Sequence, residues 1–171
     1  FPVKRIPLPY RIGSVVIIVG IATVLINRDA TPYVSRQTFE AARDKWNQAG
    51  ISTYELLVDK QLDGRPLEQV RTLVEEGVVK AFYINDGQIE EIRDSYSAEG
   101  LFDIVERELE MMNGKEQQPG QPKGVMLRAE FDDETGLPVI FKRLSINNKS
   151  VFLTVKKLFV PERGIIFPRE S

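Results

Sequence analysis

The chain has 171 residues and a net charge of −2, from 23 Lys and Arg against 25 Asp and Glu, and it contains neither His nor Cys. Those two zeros exclude Ser-His-Asp and Cys-His catalysis, metal sites built on His or Cys, and any disulfide. Of the −2, residues 1–28 contribute +4 and leave −6 for residues 29–171. An acidic domain without a basic run binds nucleic acid poorly, since phosphate neutralisation dominates that affinity.

Residues 1–8 (FPVKRIPL) form a Pro-spaced arm that cannot be helical, yet it carries Phe1, Ile6 and Leu8 as candidate docking anchors. Residues 12–26 (IGSVVIIVGIATVLI) then pass without a charge. Fifteen helical residues cover about 22 Å of a hydrocarbon core roughly 30 Å thick, so the expected transmembrane helix is extended to residues 9–28. Pro9 suits a first helical position, Tyr10 an interface, and Arg11 can lay its stem along lipid. A basic start, a short apolar stretch and Gly20-Ile21-Ala22 also fit a cleaved signal peptide. Lys4, Arg5 and Arg11 precede the span without an acid, whereas Arg28 and Arg36 follow it among Asp29 and Glu40. Positive residues favour the cytoplasmic side, which predicts an inner-membrane protein with its N-terminus in the cytoplasm and its domain in the periplasm. Within the span Gly13, Ser14, Gly20, Ala22 and Thr23 offer a small-residue surface on which another membrane helix could pack. The partners expected are therefore the lipid bilayer and subunits of an integral membrane protein complex.

Residues 29–34 read as a polar linker and residues 35–160 as one α+β domain, long enough for a single core. Ser35 predicts an N-cap for a helix running to Ala49, with Gly50 as its stop, and Phe39, Ala42 and Trp46 fall on one face. Strands are expected over residues 51–59, 67–74, 78–84 and 88–92, separated by Asp63-Gly64, Glu76-Gly77 and Asn85-Asp86-Gly87 turns. Leu101, Phe102, Val105, Leu109 and Met112 make a helical stripe over residues 98–112. A polar loop at 115–124 (KEQQPGQPKG) precedes strands over 125–131, 139–146 and 151–160. Short turns between consecutive strands imply antiparallel pairing. The fold expected is thus an antiparallel sheet of six to seven strands with both helices packed on one face. Residues 161–171 form a tail, in which Ile165, Ile166 and Phe167 either pack back as an edge strand or dock onto a partner.

Several strings carry a family resemblance: Trp46 with Tyr54-Glu55-Leu56, then Tyr83-Ile84-Asn85-Asp86-Gly87-Gln88-Ile89, Leu101-Phe102-Asp103-Ile104-Val105-Glu106, and residues 130–138 (EFDDETGLP). Together they resemble a bacterial envelope family, domain of unknown function 6174, over residues 39–159. The resemblance implies an envelope location and no established activity. Many members carry a cysteine pair after the first strand, and here residues 59–65 hold none. A lipobox Cys is absent as well, which would leave the helix, rather than a lipid, as the anchor.

Asp132, Asp133 and Glu134, just before Gly136, are the candidate cation ligands, because calcium-like ions take several oxygens from a shaped loop. Their spacing matches no EF-hand, and a solvated hairpin turn accounts for the same residues. No cofactor is expected. The leading functional expectation is a non-enzymatic accessory subunit whose domain, arm and tail brace a membrane assembly. A second is a module enclosing a lipid or small apolar ligand among Tyr54, Phe82, Phe102 and Phe131. A third, a hydrolase, would need two inward carboxylates about 5–10 Å apart in a cleft.

Overall fold

The computed structural model describes residues 29–63, 65–91, 94–113, 125–145 and 150–167. The expected arm and span, with Phe1, Ile6, Leu8, Gly13, Ser14, Gly20, Ala22 and Thr23, lie outside these residues. Among the described residues no helix is long and apolar enough to cross a membrane. All the described helices and strands belong to one compact unit, Thr31–Ser171.

Helix α1 (Arg36–Ala49) starts where Ser35 is extended and its hydroxyl accepts from the Thr38 amide, while the Thr38 hydroxyl accepts from the Ser35 amide. This is a reciprocal cap in which Thr takes the place usually held by Glu or Gln. Gly50 ends the helix in the left-handed region at φ 61°, which costs little without a Cβ. Four strands follow: β1 (Tyr54–Leu62), β2 (Glu68–Glu75), β3 (Val78–Ile84) and the two-residue β4 (Gly87–Gln88). Asn85 and Asp86 both have positive φ, 49° and 64°, the twist that suits a two-residue hairpin. A short 3₁₀ turn (Asp94–Tyr96) then leads into α2 (Ala98–Asn113). The chain finishes with β5 (Val125–Phe131), β6 (Pro138–Ser145), β7 (Val151–Val160) and β8 (Gly164–Phe167).

All pairings among these strands are antiparallel, in the order β4-β3-β2-β1-β7-β6-β5, with β8 also on β7. The α+β expectation is met, with eight strands among the described residues rather than six or seven. The additional strand is β8, from residues read as tail: Gly164, Ile165 and Phe167 pair with Val160, Phe159 and Leu158. The polar linker also differs. Val34 donates its amide to the Leu127 carbonyl, Ala129 donates to Pro32, and Tyr33 bridges Arg128. Thr31 is buried. An edge strand presents unpaired backbone groups, and here residues 32–34 satisfy some of those on β5.

The core lies between one sheet face and the two helices. On β1 the alternation puts Tyr54, Leu56 and Val58 inside, each at most 3% exposed. The Trp46 ring of α1 meets the Tyr54 ring edge-on at 5.8 Å, and the Tyr54 hydroxyl accepts from the Ala98 amide of α2 at 2.9 Å. One side chain therefore meets both helices, which share that face. Arg43 pairs with Asp103 and Glu106, and Arg36 with Glu106, tying α1 to α2 outside the core.

Candidate functional site

An open groove of about 850 Å³ lies between the β2–β3 turn, the 3₁₀ turn and the first turns of α2. Ser97 caps α2, its hydroxyl accepting from the Gly100 amide at 3.0 Å. Gly100 is required there. A Cβ at this position would lie 2.0 Å from the Asp94 carbonyl oxygen, so only glycine lets the 3₁₀ turn rest against the helix. The sequence showed the helix but not this close approach.

Three carboxylates line the groove, from Asp94, Glu99 and Asp103, together with Arg107. Two of them already serve the fold. Glu99 accepts from the Trp46 indole at 3.0 Å and from the Tyr54 hydroxyl at 2.8 Å, one donor on each oxygen. Asp103 accepts from Arg43. Burial pushes the Tyr54 hydroxyl far above its ordinary ionisation range, and the Glu99 carboxylate beside it adds to the shift. Tyr54 thus stays a neutral donor, holding β1 to the start of α2 through Glu99 and Ala98.

The acidic turn separates its candidates. Asp132 is buried, and one of its oxygens accepts from both the amide and the hydroxyl of Thr135 at 2.8 Å. Asp133 and Glu134 are exposed, and the Asp133 carbonyl accepts from Lys45 of α1. Gly136, at φ 77°, presses the turn onto that helix, where a Cβ would sit 2.1 Å from the Ala42 carbonyl oxygen. Asp132 has a structural duty that its i, i+3 spacing to Thr135 signals. Among the described residues no three of His, Cys, Asp or Glu are grouped to hold a metal ion.

The expected aromatic ligand chamber is occupied by packing. Phe102 meets Phe39 at 6.0 Å, Tyr54 meets Trp46, and Phe82 stacks on Tyr96 at 6.1 Å. Phe131 sits half-buried at the rim of the core. None of the four lines the groove. In the tail, Ile166 and Phe167 pack against the core while Ile165 is 59% exposed.

Sequence reasoning missed the sheet face turned away from the helices. There Tyr33, Arg128, Lys142 and Phe152 are successive cross-strand neighbours. Arg128, Lys142 and Phe152 lie on consecutive antiparallel strands, whereas Tyr33 reaches Arg128 from about ninety-five residues away, a pairing that no local spacing reveals. No family model, curated protein or solved structure matches the chain.

Proposed function

We propose that this chain is a single-pass, non-enzymatic accessory subunit of a larger membrane protein complex. It is held in the inner membrane by residues 9–28, with its N-terminus in the cytoplasm and its α+β domain in the periplasm. The observation that carries the reading is the charge-free run 12–26, which ends five residues ahead of Thr31, a buried residue of a folded domain. Bonds within the fold support the non-enzymatic part: Glu99 and Asp103, two of the three groove carboxylates, are engaged by Trp46, Tyr54 and Arg43. The resemblance quoted above agrees with an envelope location.

Extraction from native membranes in a gentle detergent, followed by size analysis and mass spectrometry, tests it. Co-migration with a large complex is expected; migration as a free monomer or homodimer overturns it. Replacing Gly13 and Gly20 together by Leu should detach the chain from its partner, and unchanged co-purification would remove the anchor-packing element.

The groove favours a second reading, a ligand-binding module whose ligand lies beside α2 rather than among the core aromatics. Native mass spectrometry of the gently extracted chain should then show added mass, and a bare chain under those conditions removes this reading.

A further inference from the structure

The end of a sheet carries a row of backbone groups that can pair with another chain, and the two ends of this sheet manage that hazard differently. At one end β4 pairs with Tyr83 and Ile84 of β3, and the register shift beside Leu73 makes the exposed Lys80 an extra residue on β3. A bulge and a Lys both discourage a second strand. Strand β5, at the other end, has neither. Its seven residues (VMLRAEF) include no Pro or Gly, and at the Glu130/Phe131 shift the extra residue lies on β6. Residues 31–34 guard β5 instead, laid along it as a strap.

The strap's hold is short. Val34 donates its amide to the Leu127 carbonyl at 3.3 Å, and the Ala129 amide donates to the Pro32 carbonyl at 3.1 Å. Arg128 donates to the Thr31 carbonyl at 3.0 Å and stacks 4.6 Å from the centre of the Tyr33 ring, which is 62% exposed. Leu127 and Ala129 therefore turn backbone groups outward, and a strand replacing the strap meets the same two residues. Lifting the strap also takes from Arg128 the carbonyl and the ring that hold it.

Strand β5 is complementary to itself in one register. An antiparallel pair with a two-fold axis at Ala129 sets that residue against its counterpart as a hydrogen-bonded pair of small side chains. Leu127 then meets Phe131 of the second copy on the core side, and Arg128 meets Glu130 twice on the outer face. Arg128 already has Lys142 across from it on β6, so an acid on its other flank is favourable. An axis at Arg128 would oppose like charges, and an axis at Leu127 would leave Glu130 beyond the end of the second β5.

We propose that residues 31–34 are a displaceable strap over a self-association edge, and that with the strap lifted two copies of this chain join β5 to β5 about Ala129. The two sheets then run on as one, with both pairs of helices on the same side. This is independent of the membrane-anchor reading above.

Tyr33→Ala with Val34→Pro removes the ring and the amide that hold the strap. The full chain, which has no Cys of its own, would carry one spin label at Met126→Cys in a mild detergent, with and without these strap substitutions. In the joined pair the two labels stand six residues apart along the paired strands, about 20 Å. Pulsed dipolar spectroscopy should record that separation in the strap variant and not in the parent. Adding Arg128→Glu should weaken association about tenfold, since two opposite-charge pairs become two like-charge pairs. Adding Glu130→Arg as well should restore it. Circular dichroism like that of the parent shows that each variant is folded. Should the double strap variant unfold, Tyr33→Ala alone, which keeps the Val34 amide, carries the test.

A folded strap variant without that separation overturns the proposal. The same separation at equal strength in the parent overturns it too, because the strap would then guard nothing. Labels at another separation assign self-association to a different surface and overturn the β5 edge. Indifference to Arg128→Glu overturns the register about Ala129.

Discussion

The two faces of the sheet are built from the same strands, in alternate residues, and they solve different problems. Toward the helices every large side chain is spoken for: Leu56, Val58, Phe102 and Leu158 are at most 1% exposed, and the polar atoms of Tyr54, Trp46 and Glu99 bond one another. Away from the helices the rows mix Tyr33, Arg128, Lys142 and Phe152, half-buried or exposed, with like charges adjacent. Folding dictates the first set. In the second, Arg128 is held by the Thr31 carbonyl and the Tyr33 ring, so the contacts there come from the segment that covers the sheet edge rather than from the core.

The contrast can be broken most directly from the core side. Phe102→Ala should lower unfolding free energy by about 4 kcal/mol in urea titrations, because it removes the ring on which Phe39 and Trp46 pack. A loss below about 1 kcal/mol would show a core far looser than this packing. Gly136→Ala should cost about 2–3 kcal/mol, since it adds a Cβ against the Ala42 carbonyl at a positive φ.

Tyr54→Phe should cost about 1–2 kcal/mol near neutral pH, through the lost bonds to Glu99 and Ala98. Its pH dependence sharpens the point. The hydroxyl ionises near pH 10 in the unfolded chain and well above that when folded. Its contribution is therefore complete below pH ~10 and declines as pH rises further, because only the unfolded state then gains from losing the proton. Stability of the parent chain should fall more steeply above pH 10 than that of Tyr54→Phe, and parallel curves would contradict the buried neutral hydroxyl.

The smallest effects belong to the outward groups. Arg36→Gln should change stability by less than about 1 kcal/mol, since its ion pairs with Glu106 and Glu110 are partly exposed. Lys142→Gln should shift stability by no more than about 0.5 kcal/mol. Were Lys142→Gln as damaging to stability as Phe102→Ala, the two faces would not differ in kind.

Most of the fold was legible, for local reasons. Ser35 and Gly50 bound α1, the stripe from Leu101 to Leu109 marks α2, and the Asn85-Asp86 turn fixes β3 against β4 through dihedrals that few residues adopt readily. What stayed hidden was long-range. Residues 31–34 look like a linker until β5, about ninety residues later, offers an edge for them. Ile165 to Phe167 could pack back or dock elsewhere, and only the register with β7 shows the first. In the groove, Glu99 belongs to an ordinary amphipathic helix in sequence; Trp46 and Tyr54, from two other elements, give it its role. The acidic turn was ambiguous because Asp132, Asp133 and Glu134 look alike, whereas one carboxylate points inward and two point out.

Strand β7 pairs with β1 on one side and with both β6 and β8 on the other. The β1–β7 seam joins segments about a hundred residues apart, so it is a slow, high-contact-order step. A ribosome delivers the β1–β4 meander first, yet the second edge of β1 waits until β7, about a hundred residues later, has emerged. A product that stops short of Val151 leaves β4-β3-β2-β1 and β6-β5 as two open sheets, each with an edge ready to pair with a neighbour. Progress of synthesis is thereby written into the topology: only a chain that has reached β7 can join its own sheet, and one interrupted earlier exposes what aggregation or a protease would find.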